Sequence, residues 1–326
     1  MKPEVSVVIP VFNEAENVDE LFTQLSAVLL TLGRPYEILF VDDGSSDGTL
    51  ERLLALEARD PNLRVLRLRR NFGQTAAFSA GFDHAQGEVV VTSDGDLQND
   101  PADIPRLLAK LDEGFDIVCG WRQHRQDPVS KKLPSFFANR LISWATGVKL
   151  NDYGCSLKAI RADVVRNLRL YGEMHRFIPA VASWMGVSVA EIPVNHRPRA
   201  HGTSKYGIGR TVRVLLDLFT VKFLGAYGTR PSHLFGVMGL ASGATGFAIL
   251  LYLAYIRLFA DAAIGGRPLL LLGALLFLTG VILVSVGLVA ELLVRTYHES
   301  QGKATYFVRE MRPAEPAARE AALTRH

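Results

Sequence analysis

The chain has almost no cysteine. Only Cys119 and Cys155 occur in its 326 residues, in neither a CxxC nor a Cys/His spacing, which leaves out a disulfide framework and a zinc site and fits a reducing compartment. Charge of one sign is scarce as well. Its 36 Lys and Arg stand against 33 Asp and Glu, a net charge of +3, too small to point to nucleic acid. The N-terminus lacks the charged start, long apolar run and cleavage site of a secretory signal, because Met1 and Lys2 lead almost directly into VSVVIP. That predicts a first domain that stays in the cytoplasm. Apolar residues, by contrast, make up 48% of the chain at a mean hydropathy of +0.16, which is high for a purely soluble protein.

Much of that apolar content lies in two runs, 234–259 and 269–293, each longer than the ~20 residues that cross a bilayer. They read as a transmembrane hairpin. Arg210, Arg213, Lys222 and Arg230 precede the first run and Arg295, Lys303, Arg309 and Arg312 follow the second, while the connection offers little beyond Arg267. A bias of that kind puts both termini in the cytoplasm. Gly239 and Gly243 form a GxxxG that admits helix-on-helix packing, and with it a homo-oligomer, dimer or tetramer. Before the first run, IGRTVRVLLDLFTVKFLGAY sets apolar residues over basic ones at helical spacing, as an interfacial helix does. The expected division is a cytoplasmic domain with its interfacial helix over 1–230, the hairpin over 231–295 and a cytoplasmic tail over 296–326.

The first domain alternates short β-branched runs with helical patterns: VSVVIP, YEILFVDD, VLRL, EVVVTSD and DIVCG are separated by segments beginning near Asn17, Thr49, Thr75 and Pro101. Strands apolar on both faces and divided by helices imply a mostly parallel, Rossmann-like α/β sheet covered on both sides. Ligands of such sheets bind at the carboxyl ends of the strands. The polar motifs fall there. Asn13 and Glu14 follow the first strand, Asp42 and Asp43 end the second, and Asp94 and Asp96 follow the fourth.

Asp94-Gly95-Asp96 sends two carboxylates from one short turn, with Gln98 close behind. Hard oxygens of this kind suit Mg²⁺ or Mn²⁺, which complete their coordination with phosphate oxygens. The same pattern is common in solvated turns, and its place after a buried strand beside other strand-end acids favours the metal. Asp42 and Asp43 in VDDGSSDGT can accept from a base or ribose, while Ser46 or Asp47 offers a cap for the helix near Thr49.

Together, VVIPVFNEAEN, VDDGSSDGT, RNFGQTAAFSAGF and SDGDLQN resemble the family-two inverting glycosyltransferases of the GT-A fold. With NDYGCSLKAI, the HGTSKY segment and two C-terminal spans, the chain looks like the branch acting on polyprenyl phosphates. That branch includes dolichyl-phosphate mannose synthase and the undecaprenyl-phosphate glucosyl- and aminoarabinosyl-transferases. The resemblance implies a nucleotide site at Pro10, Phe12, Glu14, Val41, Asp43, Asp94 and Gly95, Phe12 standing where Tyr is common. It implies a metal triad of Asp94, Asp96 and Gln98. Donor or acceptor phosphates would meet Arg122, Lys132, Ser135, Arg199 and Lys205, and Asp152 would be the acid proposed as base, so that Asp152, Asp96 and Arg122 form the catalytic set. The partners implied are a nucleotide-sugar, a polyprenyl phosphate such as undecaprenyl phosphate and a bacterial inner membrane, with no nucleic acid.

A phosphate monoester is largely a dianion at neutral pH, since its second pKa lies near ~6, so a strong base is not obligatory and Asp152 can serve by orienting. The larger task is to offset repulsion between two anionic substrates. Two rivals stand beside this reading: a processive polysaccharide synthase, which the absence of a QxxRW motif disfavours, and a catalytically silent membrane scaffold, which the intact acidic set disfavours.

Overall fold

The computed structural model describes residues 2–123, 139, 140, 142, 143, 146–168, 170, 172–198, 218, 220, 221, 223, 231–259, 263 and 268–301. They fall in two compact units, Met1–Ala226 and Tyr227–His326. In the first, β1 (Val5–Val11), β2 (Tyr36–Asp42), β3 (Leu63–Arg67), β4 (Val89–Thr92) and β5 (Ile117–Trp121) alternate with α1 (Val18–Thr31), α2 (Thr49–Glu57), α3 (Gln74–His84) and α4 (Ile104–Asp112). After β5 come β6 (Lys158–Arg161), α5 (Ala162–Asn167), α6 (Ile178–Ser183) and β7 (Val189–Pro193).

Every residue of β1 is buried, because successive side chains point to opposite faces and both faces carry helices. Val5, Val7 and Ile9 pack with Leu21, Leu25 and Leu29 of α1 and Leu107, Leu108 and Leu111 of α4. Val8, Leu39 and Val90 pack with Ala77, Phe78 and Phe82 of α3 on the other side. This is why the strands carry no polar/apolar alternation.

The seven strands run in the order β3-β2-β1-β4-β6-β5-β7. All pairings are parallel except those of β6, which lies antiparallel to both β4 and β5. The sheet is therefore mostly parallel, as the sequence implies, but two of its strands have no counterpart in the sequence pattern. β6 reads KAIR and β7 VAEIP, neither a continuous apolar run of the kind that marks β1, β2 and β4. They complete the sheet through pairing rather than through local pattern.

In the second unit, α7 (Pro231–Phe259) and α8 (Pro268–Gln301) form a helical hairpin. Both are long and apolar enough to cross a membrane, and only 11% of each apolar stretch is buried by protein. A core helix of a soluble protein would be mostly covered. Gly239 and Gly243, expected to admit helix-on-helix packing, do so within the hairpin. A Cβ on Gly280 would lie 2.5 Å from the Gly243 nitrogen and 2.6 Å from the Gly239 oxygen. The interfacial segment lies almost wholly outside the described residues, as does the tail beyond Gln301.

Candidate active site

Parallel β1, β2, β4 and β5 end at one edge of the sheet, and this edge collects Phe12, Glu14, Asp43, Asp94, Asp96 and Arg122. The loops after β1 and β2 are stitched together. The Asn13 nitrogen donates to Ser45 Oγ at 2.9 Å, the Ser46 nitrogen to Asn13 Oδ1 at 2.9 Å and the Ala15 nitrogen to Asp47 Oδ2 at 3.1 Å. Asn13 adopts φ +55°, a left-handed conformation that Asn tolerates. Asp47 also accepts from the Thr49 nitrogen, so the capping role anticipated for it is real. Gly44 combines φ +75° with a Cβ position 2.7 Å from the Arg70 carbonyl carbon, a place that only glycine fills.

Asp43 is buried and accepts from the Phe72 and Gly73 nitrogens, each at 2.8 Å. Burial raises its pKa, with those two bonds working against the rise. Asp42 Oδ1 accepts from the Ser45 nitrogen, while its buried Oδ2 has no hydrogen-bond partner among the described residues. Pro10 and Val41 stand opposite each other in register. Val41 is fully buried, and its side chain packs in the core beside α3.

After β4, Asp94 is half-buried, and its Oδ1 accepts from Gln74 Nε2 at 2.7 Å. Asp96 is buried and accepts from the Gln98 nitrogen at 3.2 Å. Leu97 between them takes φ +61°, a left-handed conformation that costs a non-glycine residue about 1–3 kcal/mol and gathers at functional sites. Two carboxylates from one turn with an amide at Gln98 form a hard-oxygen set that fits a small divalent cation sharing phosphate oxygens.

Arg122, just after β5, and Asp152 form a two-pronged ion pair: Nε to Oδ2 at 2.7 Å and Nη2 to Oδ1 at 2.9 Å. Asp152 is 3% exposed and accepts also from the Gly154 nitrogen at 3.0 Å. Its own loop is clamped from β7, where the Glu191 carboxylate accepts from the Asn151 and Asp152 nitrogens. Burial works to lower the Arg122 pKa, yet the Asp152 bond and charge outweigh it and hold the guanidinium above its ordinary value, with Asp94 adding to the effect. A carboxylate so engaged is stabilised in its charged form, which suits holding a cation better than taking a proton. Gly154 leaves room for the pair, since a Cβ there would lie 2.9 Å from Arg122 Nη2 and push the guanidinium aside.

Asp94 and Gly154 border a small cleft of about 30 Å³, which Gln74, Lys158, His175 and Arg176, among others, also line. Sequence reasoning singles out none of these last four. Gln74 lies in the RNFGQ motif and Lys158 in NDYGCSLKAI, so both motifs held the signal. His175 and Arg176 sit in a 3-10 turn, Met174–Phe177, that no motif marks. His175 Nδ1 is 2.7 Å from Thr75 Oγ1. Lys132, Ser135, Arg199 and Lys205 lie outside the described residues.

Comparison with known proteins gives a consistent picture. The family described as glycosyl transferase family 2 matches residues 6–169. The chain is 45% identical to the dodecaprenyl-phosphate galacturonate synthase of Rhizobium johnstonii over 94% of its own length and 93% of that protein's. It is 40% identical to the undecaprenyl-phosphate 4-deoxy-4-formamido-L-arabinose transferase of Klebsiella pneumoniae, covering 97% and 96%. Glucosyl-3-phosphoglycerate synthase from Mycobacterium tuberculosis, solved with Mn²⁺ and UDP-glucose, shares the fold. Its TM-score is 0.53 at 18% identity, with 68% of this chain and 79% of that one covered.

Proposed function

The chain belongs to glycosyl transferase family 2, and from that premise we propose that it moves a single sugar from a nucleotide-sugar onto a polyprenyl phosphate at the cytoplasmic face of a membrane. The observation that carries the reading is one cleft bordered by the Asp94 turn and by Gly154, which backs the Arg122–Asp152 pair, in a chain that also has two membrane-length helices. Relatives matching nearly end to end are named for transfer to dodecaprenyl and undecaprenyl phosphate, which supports the same acceptor class here.

Asp94, Asp96 and Gln98 would hold Mg²⁺ or Mn²⁺, which when bound neutralises the diphosphate that leaves. Phe12, Glu14 and Asp43 border the space for the nucleoside. Arg122 offers a charged, directional donor to the incoming phosphate, and Asp152 positions that guanidinium until the phosphate competes for it. Displacement in line at the anomeric carbon inverts its configuration. Lys132, Ser135, Arg199 and Lys205 are assigned to the phosphates on the resemblance of their motifs. The basic residues flanking the two spans support both termini on the cytoplasmic side of a bacterial inner membrane.

The test is transfer by purified protein in detergent with undecaprenyl phosphate, Mg²⁺ or Mn²⁺ and a panel of UDP- and GDP-sugars, read by the mass of the lipid product. A metal-dependent lipid monophosphate carrying one sugar is the expected result. A product carrying several sugars would replace this reading with a processive synthase.

A further inference from the structure

Given the metal-dependent transfer proposed above, on which this rests, we propose that Arg197 is a positioning residue for the Asp94–Gln98 turn, setting how tightly the cation is held without touching cation, donor or lipid. The Gln98 backbone is fixed at both of its polar groups. Its nitrogen donates to Asp96 Oδ1 at 3.2 Å, and its carbonyl accepts from the Arg197 nitrogen at 2.9 Å. One residue on, Asn99 and His196 form an antiparallel bridge, and the Asn195 nitrogen donates to Asp103 Oδ2 at 2.6 Å. The segment after β7 therefore runs antiparallel beside the end of the metal turn. The Arg197 side chain anchors that segment: Nη2 donates to Asp100 Oδ1 at 2.7 Å and Nη1 to Gln24 Oε1 of α1 at 2.7 Å. Asp100 Oδ1 also accepts from the Ala102 nitrogen, so the same oxygen caps the 3-10 turn Pro101–Asp103 that follows.

Positioning, not stability, is what this anchor contributes. The side chains of Arg197 and Asp100 are 40% and 13% exposed, and an ion pair so open to water adds little to stability. Its place gives it another consequence. Leu97 is left-handed at φ +61°, and such a conformation persists only where its surroundings over-determine it. On one side stands the buried Asn99 amide, which donates to Ser156 Oγ at 2.7 Å. On the other stands the segment that Arg197 anchors. Without the anchor that segment is free to draw away from Gln98, and the Gln98 nitrogen is no longer held against Asp96. Groups that orient the ligands of a metal govern its affinity by about 10- to 100-fold.

The experiment compares full-length protein in detergent with Arg197→Gln, Arg197→Lys and Asp100→Asn. Mn²⁺ binding in the presence of UDP or GDP is measured by electron paramagnetic resonance, alongside transfer at rising Mn²⁺ and thermal melting. Arg197→Gln should weaken Mn²⁺ binding, and raise the Mn²⁺ needed for half-maximal transfer, by on the order of tenfold. Its kcat at saturating Mn²⁺ and its lipid KM should stay close to the parent's. Arg197→Lys keeps a charge facing Asp100 but not the fork that also reaches Gln24, so it should fall between the two. Asp100→Asn keeps an oxygen to cap the turn and removes the counter-charge, so it should move the same constant, and combined with Arg197→Gln it should add less than its separate effect. A lower melting temperature with unchanged Mn²⁺ binding would overturn the inference. So would a rise in lipid KM alone, because the segment would then serve the acceptor through Arg199, two residues on in sequence. A parent that binds Mn²⁺ with neither nucleotide would overturn it together with the metal assignment. Weakened Mn²⁺ binding in the variants of a chain that transfers no sugar upholds the positioning role and defeats the transfer reading instead.

Discussion

Asp94 and Asp96 project from a turn whose strained Leu97 is held by its buried surroundings, so either carboxylate is placed before any ligand arrives. Asp94→Ala or Asp96→Ala should lower transfer by about 100- to 1000-fold, the range found when one stabilising group at a reacting centre is removed. The matching readout is loss of activity in EDTA and its return with Mg²⁺. The Arg122–Asp152 pair gives a different signature. Asp152→Asn leaves a buried guanidinium without its counter-ion, a loss of about 3–5 kcal/mol, so thermal unfolding of the first unit should shift as well as activity. The double variant Arg122→Met/Asp152→Leu should recover much of the stability and none of the transfer. Cysteine supplies the pH test. Burial pushes the Cys119 thiol up to about 12 and the Cys155 thiol to about 11, from an ordinary 9.0. As pH rises past 9.0 the unfolded thiols ionise while the folded ones keep their protons, so stability falls through that window. Urea midpoints on either side of that ordinary value should differ less in Cys155→Ala than in the parent chain, and iodoacetamide should label neither thiol of the folded protein near neutral pH.

Among the elements, the strands with their own apolar runs were readable, and so were the acids at the ends of the first, second and fourth. Lys158 was not. It reaches the cleft because β6 turns back antiparallel between β4 and β5, a pairing that the mixed run KAIR does not announce. Arg176 arrives on a short 3-10 turn with no periodic signature at all. Val41 shows the other side of the same problem, since a side chain near a strand end can face the core as easily as a ligand. The glycines of the hairpin were visible as a motif, but their partner was not, because GxxxG fits a helix of the same chain as well as one of another. Gly280→Leu has no room beside Gly243 and should force α7 and α8 apart. Its detergent-solubilised form should lose monodispersity and melt lower, whereas Val281→Leu, on an exposed position, should behave as the parent.

For the molecule as a whole, the two membrane-length helices predict retention in the pellet after an alkaline carbonate wash. The flanking basic residues predict that alkaline phosphatase fused after residue 301 is inactive, while fusion within 260–267 is active. Reversed activities would invert the proposed topology and with it the side on which donor is taken. The order of the strands bears on synthesis too. When β5 leaves the ribosome, the inner edge of β4 is still open, and the strand that fills it, β6, follows about forty residues later. Asp152 and Lys158 emerge with that strand. A nascent chain stalled short of residue 161 therefore displays an unpaired β4 edge, and the strand that fills it is the one that brings Asp152 and Lys158 to the edge of the sheet, so the inner gap closes and these two side chains arrive in one event in the life of the polypeptide.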